Sequence, residues 1–149
     1  MASGPFDAVM NAIGTGKLAP SNLLTEGTQS IVNAMRLTGI QRYLAVSGTA
    51  EMQMQTTLGR ITNAIFRTTP VGPAIRDHDE AYALVKASEL AWTLAGCPYI
   101  RDGPAKGTYR TELTFPGGFK IIHPPDVADF LVRELADDRF SRQIVGLWY

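Results

Sequence analysis

The sequence has a single cysteine and no excess of charge of either sign. Because Cys97 is alone among 149 residues, an internal disulfide and a cysteine-based zinc site are excluded, and a reducing compartment is favoured. Fourteen basic residues balance fourteen acidic ones, so no net positive charge attracts nucleic acid or an anionic membrane. We therefore expect neither a nucleic-acid partner nor a metal site.

Long hydrophobic runs are also missing. No stretch approaches the roughly 18 apolar residues of a membrane span, and the first residues lack the basic and then apolar layout of a signal peptide. These features predict a cytoplasmic protein without a membrane partner. With 45% hydrophobic and 19% charged residues, the composition is typical of a globular chain, and we expect one domain over residues 1–149.

The apolar segments alternate between strand-like and helix-like spacing. Buried strands are predicted at residues 6–13, 42–46 and 91–97, and Ile144–Trp148 is predicted as a closing edge strand. Helices are predicted from Pro20 and Ser21 to about Leu37, over 77–88 and over about 124–135, with a mobile helical segment at 49–70. This alternation predicts an α/β fold with a doubly wound parallel sheet.

A turn-rich segment lies between the third strand and the last helix. Tyr109–Phe115 and Phe119–Ile122 flank Pro116-Gly117-Gly118, which predicts a hairpin-like excursion. Asp126 follows two prolines and is suited to the positive end of the helix that begins there.

The expected dinucleotide fingerprint is absent. In doubly wound sheets a glycine-rich turn normally follows the first strand, yet no Gly-x-x-Gly-x-x-Gly spacing occurs in these residues. Met1 leads directly into the first strand pattern, with no earlier strand and glycine-rich turn in these residues. We therefore expect a truncated gene, a fragment or a misassigned start.

Several short motifs, in this order, resemble the NmrA-like atypical short-chain dehydrogenase/reductases, and most closely their biliverdin reductase B and flavin reductase types. The motifs are Asp7-Ala8-Val9, Thr25-Glu26-Gly27-Thr28, Ala45-Val46-Ser47, Ser88-Glu89-Leu90-Ala91-Trp92-Thr93, Asp102-Gly103-Pro104 and Asp126-Val127-Ala128-Asp129-Phe130. The resemblance covers only about the C-terminal two-thirds of such proteins. It implies a partial Rossmann-like sheet that lacks the first strands and the glycine-rich loop.

The same resemblance implies NADP or NAD as the cofactor, and the missing loop leaves open whether this chain binds it alone. Ile13, Gly14 and Thr15 match the turn after a strand where backbone groups approach the cofactor. Pro98 and Tyr99 match the segment that covers the nicotinamide. A glycine at a strand end is also an ordinary turn, and Tyr99 is equally compatible with core packing.

Ser47 matches a strand-end position where the family presents a hydroxyl to the substrate or the nicotinamide. It serves as a cofactor-binding and catalytic candidate, and Tyr99 is the second catalytic candidate. The alternative for Ser47 is a local backbone cap, which is commoner for a single serine at a strand end.

Tyr82 and Lys86 have the Tyr-x-x-x-Lys spacing of short-chain dehydrogenases, but they fall two turns beyond the family position. The family positions are Ala74 and His78, and we expect His78 to be an exposed residue in the first turn of its helix. Cys97 ends an apolar strand with no basic neighbour in sequence, which predicts a buried structural thiol.

The resemblance implies an NAD(P)H-dependent reductase of flavins, quinones or similar ring substrates, impaired by the missing loop. The alternative is a non-catalytic remnant, a redox sensor or a partner-dependent binding module. Loss of the preceding strands would leave the strand at 6–13 as a long apolar edge, which predicts self-association or a complementing chain there.

Overall fold

The structure is a computed structural model that describes residues 6–14 and 22–149. The described strands are β1 (Ala8–Asn11), β2 (Arg42–Ser47), β3 (Gln53–Met54), β4 (Ala91–Gly96), β5 (Arg110–Glu112), β6 (Thr114–Phe115) and β7 (Gln143–Trp148). The described helices are α1 (Leu23–Thr38), α2 (Thr57–Arg67), α3 (Gly72–Ala87) and α4 (Pro124–Asp137).

The main sheet has the strand order β1-β2-β4-β7-β5. Its first four strands are parallel, and β5 is antiparallel to β7. The register aligns Ser47 with Gly96 and Asn11 with Ala45, so the carboxyl ends of β1, β2 and β4 reach one edge of the sheet. The predicted α/β fold with a parallel sheet is confirmed.

Helices cover both faces of this sheet, as the doubly wound arrangement requires. Successive side chains of β2 point to opposite faces, so Leu44 packs towards α4 and Tyr43 packs towards α1 and α3. On the α4 side, Val127, Phe130 and Leu131 join Val145 and Leu147 in one apolar cluster. On the other side, Met35 and Val85 cover Trp92 and Leu94.

The predicted hairpin is wrong. The backbone does turn at Gly117 and Gly118, whose φ angles are 84° and 79°, but its two arms do not pair with each other. The first arm forms β5, which joins β7, and β6, which runs parallel to β3. The second arm ends at Ile122, which bridges Ile100 and is fully buried.

The predicted last strand, Ile144–Trp148, is confirmed as β7, but its predicted position at the edge of the sheet is wrong. β7 lies between β4 and β5, and its Val145 and Leu147 are fully buried. The first arm of the predicted hairpin contains β5, whose three residues are all polar, so apolar spacing did not indicate that it lies beside β7 at the edge of the described sheet.

Two helix predictions need correction at their boundaries, and the predicted end of a third is confirmed. The segment predicted as helical at 49–70 contains one helix, α2, preceded by the short strand β3. α3 begins at Gly72 rather than Asp77, with Pro73 in its first turn. α1 ends at Thr38 with Gly39 in the left-handed conformation at φ 77°, as predicted, while Pro20 and Ser21 lie outside the described residues.

Two aspartates tie the helix starts to neighbouring elements. Asp77 of α3 accepts hydrogen bonds from the backbone N–H groups of Leu24 and Thr25 at 3.0 and 2.9 Å, and so caps the start of α1. Asp126 in the first turn of α4 accepts from the N–H groups of Lys106 and Gly107 at 2.9 and 3.0 Å, and from the Tyr149 hydroxyl. Asp126 therefore fastens a loop and the last residue to α4.

Among the described helices, none combines the length and apolar character needed to cross a membrane. The described residues also contain no group of three or more His, Cys, Asp or Glu side chains placed to hold a metal ion.

Candidate functional site

Three strand ends meet at one edge of the sheet and line a cavity of about 600 Å³, here called the strand-end cavity. Its wall includes Ile13 and Gly14 after β1, Ser47 and Gly48 at the end of β2, and Pro98 after β4. The backbone hydrogen bond from Cys97 N–H to the Ser47 carbonyl, at 2.8 Å, joins the carboxyl ends of β2 and β4. In open α/β sheets, ligands bind outside the carboxyl ends of the strands, which is where this cavity lies.

The structure brings together five of the six residues predicted for the site. Ile13, Gly14, Ser47, Pro98 and Tyr99 all line the strand-end cavity, and Thr15 lies outside the described residues. Their roles in binding or catalysis stay predictions.

The turn after β1 is organised by a buried amide. The Asn11 side chain accepts a hydrogen bond from the Ile13 N–H at 2.9 Å and donates one to the Tyr43 hydroxyl at 2.9 Å. This places Gly14 at the cavity wall. A Cβ at Gly14 would meet no atom of residues 6–14 and 22–149 within 4 Å, so these residues let a ligand approach the backbone closely there.

Ser47 and Tyr99 differ in exposure. Ser47 is buried at 8% exposure, whereas Tyr99 is 53% exposed and its ring lies 5.8 Å from that of Phe119 at an angle of 37°. The exposed part of the Tyr99 side chain is therefore accessible at the rim of the cavity. Such a ring can contact a flat heteroaromatic group.

A second cavity, of about 660 Å³, adjoins the first and is here called the aromatic cavity. Its wall includes Met54, Phe66, Tyr99, Phe115, Phe119 and Glu51. The two cavities share five lining residues: Gly48, His78, Cys97, Pro98 and Tyr99. A ligand in one cavity therefore lies beside a ligand in the other.

His78 occupies a different place from the predicted one. Because α3 begins at Gly72, His78 lies beyond the first turn of the helix, is partly buried and lines both cavities. Burial lowers its pKa, although Asp77 and Asp79 act to raise it. The expectation of an exposed histidine in the first turn is wrong, because the helix starts five residues earlier than its apolar pattern indicates.

Tyr82 and Lys86 line neither of these cavities. The Tyr82 ring packs edge-on against Trp92 at 5.8 Å, and the Lys86 ammonium lies 5.8 Å from the Tyr82 ring centre. The pair belongs to the packing of α3 on the sheet. Cys97 is buried, and burial raises its pKa to about 12, which agrees with the predicted structural thiol.

Glu51 is the residue that sequence reasoning missed. It lines the aromatic cavity, and its Oε2 atom is shielded from solvent with no hydrogen-bond partner in the described part of the chain. Burial raises its pKa from 4.5 to about 7, and the charge of Asp79 adds to the effect. The available signal was that Glu51 is the only charged residue between Tyr43 and Gly59.

A sequence profile of NAD(P)H-binding proteins matches residues 2–138. The fold is similar to that of a candidate NADH-flavin reductase from Streptococcus pneumoniae TIGR4, with 24% identity and a TM-score of 0.73, over 97% of this chain and 72% of the other. It is similar to a short-chain dehydrogenase/reductase of Veillonella parvula DSM 2008 in complex with NADP, with 17% identity and a TM-score of 0.72, over 97% of this chain and 64% of that one.

An anaerobillin reductase of Escherichia coli O157:H7 also shares the fold, with 18% identity and a TM-score of 0.70, over 99% of this chain and 66% of the other. At these identities the structural likeness establishes the fold alone. The chain spans about two-thirds of the length of these proteins.

Proposed function

Because this chain belongs to the NAD(P)H-binding family, we propose that it is a reductase of flavins, quinones or related ring substrates that uses NADPH or NADH. The observation that carries the proposal is the pair of adjoining cavities. One lies at the carboxyl ends of parallel strands, where dinucleotides bind, and the other is walled by aromatic and apolar side chains.

The strand-end cavity fits the nicotinamide end of the cofactor. Its lining is largely apolar with one buried hydroxyl, and the open space at Gly14 lets a flat ring and its ribose approach the backbone. Ile13, Gly14, Pro98 and Tyr99 would contact the cofactor, with Thr15 as a further candidate. When bound, the dihydronicotinamide supplies a hydride to an acceptor.

Ser47 and Tyr99 are proposed to position the reactants. The Ser47 hydroxyl would hydrogen-bond either the nicotinamide amide or a polar group of the substrate. Tyr99 lies where the two cavities join, so its ring would pack against whichever flat group occupies the rim.

The aromatic cavity is proposed as the substrate site. Phe66, Phe115 and Phe119 offer flat apolar surface, and about 660 Å³ is a typical volume for a ring-sized ligand. The proteins of similar fold include a candidate NADH-flavin reductase and an anaerobillin reductase, and these activities, which are those of the other proteins, support the assignment.

We further propose that cofactor affinity is reduced relative to proteins with a glycine-rich phosphate loop, because helix N-termini and glycine turns supply much of the pyrophosphate binding. One domain over residues 1–149 and a cytoplasmic location complete the proposal. Limited proteolysis checks the domain bounds, and cell fractionation checks the location.

The proposal is tested by calorimetric titration of NADPH and NADH into the purified chain and into Gly14→Val. The wild type is expected to bind one of them more tightly than about 0.1 mM, or about 5.5 kcal/mol. Gly14→Val should bind at least about tenfold more weakly, a loss of about 1.4 kcal/mol, because its side chain projects into open cavity space.

Ala105→Val, in an exposed loop, serves as the matched control and should bind as the wild type does. Equal affinities for all three proteins would contradict the assignment of the cavity. Binding without turnover of flavin or quinone would favour the alternative of a non-catalytic or redox-sensing module.

The outer edge of β1 is proposed as a self-association surface. β1 pairs only with β2 within the described residues, and Phe6 and Met10 next to that edge are 68% and 42% exposed. An apolar strand edge is a template for pairing with another chain. We expect a second copy of this chain to occupy it.

Sedimentation velocity of the wild type and of Met10→Lys tests this surface. Lysine at a strand edge discourages pairing, so the variant should shift towards monomer. Leu37→Lys, at an 83% exposed position on α1, is the control and should sediment as the wild type does. A wild type that stays monomeric at high concentration would overturn the proposal.

A further inference from the structure

Glu51 is a partly buried carboxylic acid that lines the aromatic cavity and whose Oε2 atom is shielded from solvent. It follows the end of β2, three residues beyond Gly48, which lines both cavities. A Cβ built on Gly48 would lie 3.7 Å from Glu51 Oε2, so the carboxyl group lies close to the junction of the cavities. That oxygen has no hydrogen-bond partner among the described residues.

An unpartnered buried polar atom is unusual in a folded protein, since nearly all such atoms are satisfied. The exceptions call for a reason, and one reason is a partner that arrives with a ligand. A ring nitrogen or carbonyl oxygen of a bound substrate would supply the missing partner. The aromatic cavity has the shape and the lining for such a ring.

The charged and titratable groups around Glu51 come from α2, from α3 and from the segments that follow β4 and the glycine turn. Arg67 of α2 and Asp79 of α3 form an ion pair, with one contact of 3.1 Å, and their charges act on Glu51 in opposite directions. His78 of α3 and Lys120 after the glycine turn line the same cavity, as do Cys97 and Tyr99. Burial outweighs these charges and keeps much of the Glu51 population protonated near neutral pH, with a pKa of about 7.

We propose that Glu51 is the proton donor of this site and delivers its carboxyl proton to a nitrogen or carbonyl oxygen of a ring substrate in the aromatic cavity. The inference rests on the proposed reductase function. The O–H bond of Glu51 breaks, its electron pair stays on the carboxylate, and the proton joins the substrate. A bound dihydronicotinamide would give up the hydride, and with it the two electrons that reduce the ring, and would itself be oxidised. Solvent then reprotonates Glu51.

The neighbouring acids serve this role less well. Burial lowers the pKa of His78, so its ring carries few protons near neutrality. Burial raises the pKa of the Cys97 thiol to about 12, which makes it a reluctant donor. General acids work best with a pKa near the operating pH, and Glu51 meets that condition.

The test compares Glu51→Gln with Glu80→Gln, an exposed carboxyl on α3. The first readout is the infrared absorption of the protonated carboxylic acid between pH 5 and 9, in the protein without added ligands. The wild type and Glu80→Gln should show one protonated carboxyl that disappears as pH rises through about 7, and Glu51→Gln should lack it.

The second readout is kcat for FMN reduction by NADPH over the same pH range, with cofactor affinity measured in parallel. The wild-type rate should fall as Glu51 ionises. Glu51→Gln should be slower by about 100-fold at pH 6 and lose that pH dependence, with unchanged NADPH affinity. Restoration of activity and pH dependence by Glu51→Asp would indicate the acid rather than packing.

The outcomes separate the two proposals. If the wild type is active and Glu51→Gln matches it in rate and pH profile, the proton-donor role is overturned and the reductase stands. If wild type and Glu80→Gln both bind neither NADPH nor NADH, the reductase proposal fails, and the donor role fails with it even where the infrared band is present.

Discussion

Two glutamates lie near opposite ends of strand β2 and differ in their surroundings: Glu134 is buried, and Glu51 is partly buried. Glu134 of α4 is 2% exposed, and it accepts hydrogen bonds from Arg42 at 3.2 Å and from the Phe140 N–H at 2.7 Å. The Thr93 hydroxyl lies 3.4 Å from the same oxygen. Glu51 lies near the carboxyl ends of the strands, and its Oε2 has no partner in the described part of the chain.

The difference shows how one residue type serves two purposes in one fold. Around Glu134 the charge of Arg42 and several donors compensate for the lost water, so the carboxylate cross-links β2, β4 and α4. Around Glu51 a hydrogen bond from its own backbone N–H and the charge of Arg67 offset the burial only in part, so the pKa of the carboxyl is raised to about 7. Incompletely compensated burial of this kind is commoner at functional sites than in structural networks.

The largest effect is expected from Glu134→Gln. The substitution leaves the Arg42 guanidinium, which has 12% side-chain exposure, without its buried counter-charge. Breaking a buried pair by removing one partner costs about 3–5 kcal/mol of the free energy of unfolding. Urea denaturation at pH 8 measures the loss.

Arg133→Met is the control for that experiment. Arg133 pairs with Asp129 one helical turn away, but its side chain is 71% exposed. Exposed pairs contribute little, so the unfolding midpoint should move only slightly. A comparable loss of unfolding free energy in both variants would mean that the buried Arg42–Glu134 pair stabilises the fold no more than the exposed pair does.

The same substitution at Glu51 should have the opposite effect at pH 8, and should increase the free energy of unfolding. A carboxyl whose pKa rises from 4.5 unfolded to about 7 folded binds more protons when folded, so stability falls as pH rises between those values. The full shift corresponds to about 3 kcal/mol. Glu51→Gln removes the ionisation, so the variant should be more stable than the wild type at pH 8.

Denaturation curves at pH 4 and pH 8 give the measurement. The advantage of Glu51→Gln over the wild type should be present at pH 8 and absent at pH 4, where both side chains are neutral. An advantage of equal size at both pH values would point to packing rather than to ionisation.

The smallest effect is expected from Arg67→Met. The Arg67 charge lowers the pKa of Glu51, whereas Asp79 raises it. Removal of the cation should therefore raise the pKa of Glu51 further, and the protonated-carboxyl infrared band should persist to higher pH. A band that disappears at lower pH than in the wild type would contradict the prediction that the Arg67 charge lowers the pKa of Glu51.

The strand-end site was predictable because it depends on local patterns. Apolar runs that end in Gly14, Ser47 and Pro98 mark the carboxyl ends of strands, and parallel strands bring those ends to one edge. The resemblance then selected Ile13 and Tyr99, and all five described residues line one cavity.

The aromatic cavity and its acid were not predictable in the same way. The sequence predicts Phe115 and Phe119 in the two arms of one hairpin. In the structure both line the aromatic cavity, and Phe115 belongs to β6, which pairs with β3 of a distant segment. Glu51 is a single charge in a weakly patterned stretch, and its unusual pKa depends on burial by elements far along the chain. His78 was misplaced because Gly72 and Pro73 do not carry an apolar helical pattern.

The sequence by itself determined the α/β alternation, the parallel core strands and the strand ends that form the cofactor-side wall, because apolar periodicity and turn residues act over short distances along the chain. Only the tertiary structure decided that β7 is internal, that the glycine turn at 117–118 closes an aromatic cavity, and that Glu134 is paired while Glu51 is not. Pairing and desolvation of a charge depend on which distant segments meet, and no local pattern records that.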